Sequence, residues 1–123
     1  MHTSLRKAFV LCLATLFFAL AGTGRAGDLI GSYKCEGINS GGTGTYSGTV
    51  LITKKGDVYR VVWKLGGNQT YTGIGVVQGD VLAVSYYGTA SGVVAYAIED
   101  DTLRGKWTMA KDDGTVSTET LTK

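Results

Sequence analysis

The chain has 123 residues, a formal net charge of +2, 19 glycines and no proline. Three of its 12 basic residues lie among the first 26 positions, so the remainder carries 9 basic and all 10 acidic residues, a charge of −1. No basic run longer than Lys54-Lys55 occurs there. This charge distribution excludes the footprint of a nucleic-acid-binding protein.

The N-terminal segment has the pattern of a secretory signal peptide. A positive start, Arg6-Lys7, precedes an almost wholly apolar run from Ala8 to Ala21, and Gly24-Arg25-Ala26 offers small residues for cleavage. The run is short for a membrane span. We therefore expect a cleaved leader, residues 1–26, followed by one secreted or periplasmic domain, residues 27–123, with no stable membrane insertion.

The predicted mature chain has no histidine and a single cysteine, Cys35. This inventory excludes an internal disulfide and a Cys/His metal centre, and it leaves a Ser or Cys nucleophile without its usual base. The pairs Asp100-Asp101 and Asp112-Asp113 fall in predicted turns and lack the spacing of a calcium loop. We expect no enzyme activity, metal or cofactor. Cys35 is either buried and inert or paired with another molecule.

An acidic residue followed six places later by an aromatic one recurs three times, as Asp57 with Trp63, Asp80 with Tyr86, and Asp101 with Trp107. The repeats begin 23 and 21 residues apart, which is about the length of one β-hairpin. Alternation and turn signals predict eight strands, near residues 30–37, 45–53, 57–65, 69–77, 80–87, 92–99, 102–109 and 115–122.

The links between these strands are short, so neighbouring strands must pair antiparallel. Eight such strands predict an all-β, up-and-down meander barrel, which leaves no exposed edge, with a two-sheet sandwich as the alternative. Only the link from Ile38 to Gly44 is longer. It is either a flexible lid or a mobile loop without a role.

Period-two alternation predicts that six of the seven tyrosines and both tryptophans face the interior, with Tyr87 as the exception. Inward glycines such as Gly73, Gly75 and Gly105 allow two interpretations. They make room for rings that fill the barrel, or the rings line a small cup for a ligand. In the second case the ligand-binding residues are Tyr33, Tyr46, Tyr59, Trp63, Tyr71, Tyr86, Trp107 and Glu119.

The last strand leaves its register open. If Leu121 faces inward, Glu119 does as well, and a buried carboxylate then needs partners. If Val116, Thr118 and Thr120 form the inner face, Glu119 is solvated. The alternation alone does not choose between these registers.

The outer face of the fourth to sixth strands is predicted to be apolar. A contiguous apolar patch on a sheet that faces water usually marks a partner surface, here a possible homodimer interface, although scattered surface apolarity is also common. The stripe contains Ile74, Val76, Val81, Ala83, Tyr87, Val93, Ala95 and Ala97.

Several short motifs suggest a family, namely Gly31-Ser32-Tyr33, Tyr46-Ser47-Gly48, Tyr71-Thr72-Gly73, residues 79–84 and residues 118–122. With these motifs the chain resembles small secreted bacterial β-barrel proteins that are often labelled fibronectin-binding. More distantly, the eight-strand meander is similar to the avidin and lipocalin group of calycin barrels. The first resemblance implies adhesion to an extracellular protein, and the second implies a small molecule bound in the barrel mouth.

We therefore predict a secreted or periplasmic binding protein that is not an enzyme. The leading hypothesis is a small-ligand binder that uses the aromatic lumen. The alternative is an adhesin or protein-interaction module that uses the barrel exterior.

Overall fold

The computed structural model describes residues 29–123, and the predicted signal peptide, residues 1–26, lies outside them. Eight antiparallel strands in up-and-down order close into a barrel. The predicted all-β meander barrel is confirmed, and the two-sheet sandwich does not form. The strands are β1 (Gly31–Ile38), β2 (Thr45–Lys55), β3 (Val58–Leu65), β4 (Gln69–Gln78), β5 (Val81–Tyr87), β6 (Gly92–Glu99), β7 (Thr102–Met109) and β8 (Ser117–Thr122).

Each strand end lies within two residues of its predicted place, and the largest shifts are at the end of β2 and the start of β8. Three hairpins at one end of the barrel turn on two residues each, Gly56-Asp57, Gly79-Asp80 and Asp100-Asp101. The first residue of each turn has a positive φ of 59°, 57° and 54°, respectively. Glycine adopts this conformation without steric cost and aspartate tolerates it, which explains these tight turns. We call this end of the barrel the turn end.

The opposite end, which we call the loop end, carries the four longer links at 39–44, 66–68, 88–91 and 110–116. The first of these contains a single 3-10 turn at Ser40–Gly42. The Asn39 amide donates to the Gly44 carbonyl at 2.9 Å, and the Gly42 amide donates to the Asn39 carbonyl at 3.0 Å. The link is thus internally bonded, and its predicted role as a lid stays a prediction.

Pairing of β1 with β8 closes the barrel. The paired residues run from Lys34 with Thr122 to Gly37 with Glu119. Beyond that point the ladder ends, and the Ser117 hydroxyl donates to the Ile38 carbonyl oxygen at 2.6 Å. The Ser117 side chain thus links β8 to β1 at the loop end, where backbone pairing of these two strands has stopped.

The register of β8 places Glu119 inside the barrel. Ser117, Glu119 and Leu121 are buried, whereas Thr118 is exposed and Val116 is 65% exposed. Of the two registers that the sequence left open, the one with Glu119 inward is therefore correct. The same alternation places six tyrosines and both tryptophans on the inner face and leaves Tyr87 61% exposed outside.

The two halves of the interior differ. The half near the turn end is filled mainly by aliphatic side chains, and Leu29, which precedes β1, is buried against them. The Tyr33 hydroxyl donates to the Leu29 carbonyl at 2.8 Å. Apolar burial on this scale is the main favourable contribution to folding, so the turn-end half is the stabilising core. Its buried members include Ile52, Tyr59, Leu82, Ile98, Leu103 and Leu121.

Three inward glycines lie beneath aromatic rings of the neighbouring strand. Gly105 pairs with Tyr96, and a Cβ at Gly105 would stand 2.7 Å from the Tyr96 ring. Gly92 pairs with Tyr86, and Gly37 pairs with Tyr46, with the same close approach of ring to backbone. At these positions the interpretation that glycine makes room for a ring is correct.

We expect Gly105→Ala to lower the free energy of unfolding by about 1–3 kcal/mol, because the added methyl group overpacks the interior against Tyr96. Gly66→Ala is the matched control, since no atom lies within 4 Å of the new Cβ, and it should change stability by less than about 0.5 kcal/mol. Urea unfolding of both variants checks this, and equal stabilities would contradict the packing argument.

Candidate functional site

A recess of about 880 Å³ opens at the loop end of the barrel. Its inner wall is aromatic, and its rim is formed by the ends of β1, β3 and β7 with their adjoining links. Outward-facing residues of β1 and β8 also border it, so it reaches the seam where the pairing of these strands ends. The lining residues include Ile38, Asn39, Tyr46, Trp63, Leu65, Gln69, Tyr71, Tyr86, Val94, Trp107, Met109 and Glu119.

Glu119 lies at the floor of the recess and is only 5% exposed. Its Oε1 accepts a hydrogen bond from the Tyr46 hydroxyl at 2.8 Å. Its Oε2 accepts one from Trp63 Nε1 at 3.1 Å and another from the Tyr96 hydroxyl. Three donors on three different strands thus satisfy a carboxylate that would otherwise be very costly to bury.

The strand register explains how two tyrosines reach this carboxylate. Glu119 pairs with Gly37 on one side and with Gly105 on the other. Gly37 in turn pairs with Tyr46, and Gly105 pairs with Tyr96. The row across β2, β1, β8, β7 and β6 therefore reads Tyr, Gly, Glu, Gly, Tyr. Because the glycines carry no side chains, each ring can lie over its glycine and direct its hydroxyl to Glu119.

The remaining rings pack against one another above the floor. The ring centroids of Trp63 and Tyr86 are 5.7 Å apart, and those of Tyr71 and Tyr86 are 5.8 Å apart at an interplanar angle of 86°. Tyr46 meets Trp107 edge-on, with centroids 6.1 Å apart. These separations fall in the range of favourable aromatic pairs. The rings therefore hold one another in place around the opening.

The polar groups of the upper rings are bonded within the protein. The Tyr71 hydroxyl lies 2.8 Å from the Thr89 hydroxyl, and the Tyr86 hydroxyl donates to the Thr108 carbonyl at 3.0 Å. Trp107 Nε1 donates to a carbonyl of β8 at 3.3 Å. These rings consequently present mainly apolar surface to the recess, while the carboxylate at the floor supplies charge.

Six of the eight predicted ligand-binding residues line the recess. Tyr33 and Tyr59 do not, because they lie in the filled half near the turn end, where Lys123 and Lys54 stand over their rings at 5.6 and 5.5 Å, respectively. Both tyrosines face the interior, as predicted. Alternation shows only which side of a strand a residue occupies, and it does not show how far along the barrel a cavity extends. The six that line the recess are Tyr46, Trp63, Tyr71, Tyr86, Trp107 and Glu119.

Sequence reasoning missed Tyr96 as part of the site. It was predicted to face inward, yet its role as a fully buried donor to Glu119 depends on the β6 to β8 register. The rim residues Leu65 and Met109 were also missed, since residues at strand ends carry no clear alternation signal. For Tyr96, the signal that could have indicated this role is its position opposite an inward glycine of the neighbouring strand, Gly105.

Burial and the Glu119 charge control the ionisation of nearby groups. Burial first, and then Glu119, raises the pKa of the Tyr46 and Tyr96 phenols well above the ordinary tyrosine value. The same two causes raise the pKa of the Cys35 thiol, and its exposure is 0%. A buried, protonated thiol is a poor nucleophile, which fits the prediction that Cys35 is inert. Burial, followed by the charge of neighbouring groups, also raises the pKa of Tyr86.

The predicted outer stripe lies on the barrel exterior, with its members in register. Val76 pairs with Ala83, which pairs with Ala95, and all three face outward. A shallow apolar groove of about 720 Å³ crosses this face and extends to Val116 beside β8. The largest exposed members are Ile74 at 59%, Val76 at 54%, Val81 at 40%, Tyr87 at 61% and Val93 at 55%.

Within residues 29–123, no group of three or more His, Cys, Asp or Glu side chains is placed to hold a metal ion. Over the same range, no helix is long and apolar enough to cross a membrane. Comparison of the chain with protein-family models and with curated proteins finds no match. The site must therefore be interpreted from its own geometry.

The raised phenol and thiol pKa values predict that the protein loses stability at alkaline pH. An unfolded tyrosine loses its proton near pH 10, whereas buried Tyr96 keeps it, so the native state binds more protons and the free energy of unfolding falls as pH rises. This stabilisation is fully present below about pH 7.5, where the unfolded thiol and phenols are all protonated.

Urea unfolding between pH 7 and pH 11 measures this effect. Above pH 10, Tyr96 alone should remove about 1.4 kcal/mol per pH unit. The control Tyr96→Phe should be less stable at pH 7, because Glu119 loses a donor, yet its stability should fall less steeply above pH 10. A free energy of unfolding that rises or stays constant for the unchanged protein would contradict the interpretation.

Proposed function

We propose that this domain is a secreted or periplasmic binding protein, not an enzyme, and that it holds a small molecule in the recess at the loop end. The observation that carries this proposal is the aromatic recess itself, open at one end and floored by a buried, fully bonded carboxylate. Its volume lies within the usual range for small-ligand sites, and apolar walls with a few fixed polar groups are typical of them.

The asymmetry of the barrel supports a binding role. An eight-stranded barrel is just narrow enough for side chains to fill it, and the turn-end half is filled in that way. At the loop end, the corresponding space is left open between rings that pack on one another. Because Glu119 and Trp63 are already held by hydrogen bonds, the floor is organised before a ligand arrives, which lowers the entropy cost of binding.

Native mass spectrometry of the protein purified from its own host tests the small-ligand function. We expect extra mass in the native spectrum that disappears on denaturation. Trp107→Leu should lose this mass, because it removes ring surface from the recess wall. Trp107 does not contact Glu119 through its indole nitrogen, so the floor should persist.

Tyr87→Leu is the matched control, since it removes an aromatic ring that is 61% exposed on the outer face, and it should retain the extra mass. A bare sequence mass for the unchanged protein, together with no small molecule that perturbs the recess tryptophans, would overturn the small-ligand function.

The outer stripe supports a second candidate function, that of an adhesin or protein-interaction module acting through the barrel exterior. Five large apolar side chains on β4 to β6 are at least 40% exposed and lie on adjacent strands. Contiguous apolar surface of this kind is uncommon on monomeric soluble proteins. The resemblance to proteins labelled fibronectin-binding points in the same direction, and self-association through this face would give a homodimer.

Sedimentation over a range of concentrations tests self-association through the outer stripe. We expect the unchanged protein to form dimers, while Ile74→Lys and Val93→Lys are monomers because each would desolvate an ammonium group in the interface. Thr49→Lys, which changes an exposed residue of β2, should still dimerise. A protein that stays monomeric at high concentration, with unchanged solubility in the two stripe variants, would contradict a homodimer through this face.

A further inference from the structure

We propose that the recess is selective for an organic cation, a small molecule that carries a protonated or quaternary ammonium group beside an apolar or aromatic body. This inference rests on the proposed small-ligand function and gives the chemical class of that ligand. Three features of the recess carry it: the charge of the carboxylate at the floor, the absence of lysine and arginine from the lining among residues 29–123, and the aromatic wall.

The first feature is the state of Glu119. The groups bonded to its carboxylate, two phenols, an indole and the buried Cys35 thiol, are all neutral. They satisfy its oxygens as hydrogen-bond acceptors but do not cancel its charge. A carboxylate in a site partly shielded from water exerts a stronger field than one on the surface, because the effective dielectric constant is lower. That field attracts a cation and repels an anion at the floor.

The second feature is the sign of the remaining charges. Glu36 is the other charged residue of the recess lining, and no lysine or arginine among residues 29–123 lines it. Glu36 forms an exposed ion pair with Lys34 at 3.3 Å, outside the barrel wall, where water screens it. Asp112, in the link between β7 and β8, acts on the Tyr86 phenol as a further negative charge at the loop end. Both charged residues that line the recess are therefore negative, which favours a positive ligand at its floor.

The third feature is the arrangement of the rings. Five aromatic side chains surround the opening, and neighbouring rings meet at 59° to 86°. These side chains supply indole and phenol ring surface to the lining of the recess. The negative face of an indole or phenol attracts an ammonium group, and aromatic cages are a known solution for binding quaternary ammonium. A buried carboxylate beneath such a cage strengthens the preference.

A series of three phenyl compounds of nearly equal size and different charge tests this proposal on the unchanged protein. The probes are phenethylammonium, the neutral phenethyl alcohol and the anion phenylacetate. Titration calorimetry gives the affinities, and the fluorescence of Trp63 and Trp107 reports on location, because the chain has only these two tryptophans and both line the recess.

We expect phenethylammonium to bind at least about tenfold more tightly than phenethyl alcohol, in line with a desolvated cation–π contact and a nearby carboxylate. Phenylacetate should bind most weakly. Equal affinities for the cation and the alcohol, or a preference for the anion, would overturn cation selectivity while leaving the small-ligand function in place. Failure of all three probes to bind or to perturb the tryptophans at millimolar concentration would overturn cation selectivity, and together with a bare mass in the native spectrum it would overturn the small-ligand function as well.

A pair of matched variants identifies the source of the preference. Glu119→Gln keeps the size of the side chain but removes its charge, and it should reduce the preference for phenethylammonium over phenethyl alcohol to less than about threefold. Glu99→Gln removes one charge at the turn end, where Glu99 pairs with Arg104 at 2.7 Å, and it should keep the full preference. If Glu119→Gln does not fold, the charge series on the unchanged protein still decides the proposal.

Discussion

The need to satisfy one buried carboxylate shapes the loop-end half of this barrel. Glu119 is inside because β8 must also bury Leu121, and alternation gives both residues the same face. A buried charge without partners would destabilise the fold by several kcal/mol or more. Hydrogen-bond donors from β2, β3 and β6 converge on the Glu119 carboxylate and stabilise it in the interior. Four strands of the closed barrel are thereby tied together through a single residue.

The glycines beside Glu119 are part of the same solution. A residue with a side chain at Gly37 or Gly105 would occupy the space in which the rings of Tyr46 and Tyr96 lie. Because the two glycines have no side chains, two phenols can approach Glu119 from opposite sides along one row of the sheet. Glycine in a strand usually weakens it, because it packs nothing and loses more backbone entropy on folding. Here the covering rings supply the packing that the glycines lack.

The contrast between the two ends of the barrel determines where a ligand can enter. Two-residue turns and Leu29 close one end over a filled core, whereas longer links surround the other. At that open end, the rings of the wall have their polar groups bonded to the protein, so they offer mainly apolar surface above a charged floor. The recess thus combines a fixed charge at its floor with an aromatic wall. The outer stripe is a separate feature on the opposite face of the sheet.

The sequence by itself determined the strand count, the short antiparallel links and the inward side of the first seven strands, because turn residues and period-two alternation are local signals. It also identified six residues that line the recess. Only the tertiary structure decided the register of β8, the distance of Tyr33 and Tyr59 from the recess, and the role of Tyr96. These depend on which residues stand opposite one another across strands that are far apart in the chain. Barrel closure sets that register, and no local pattern contains it.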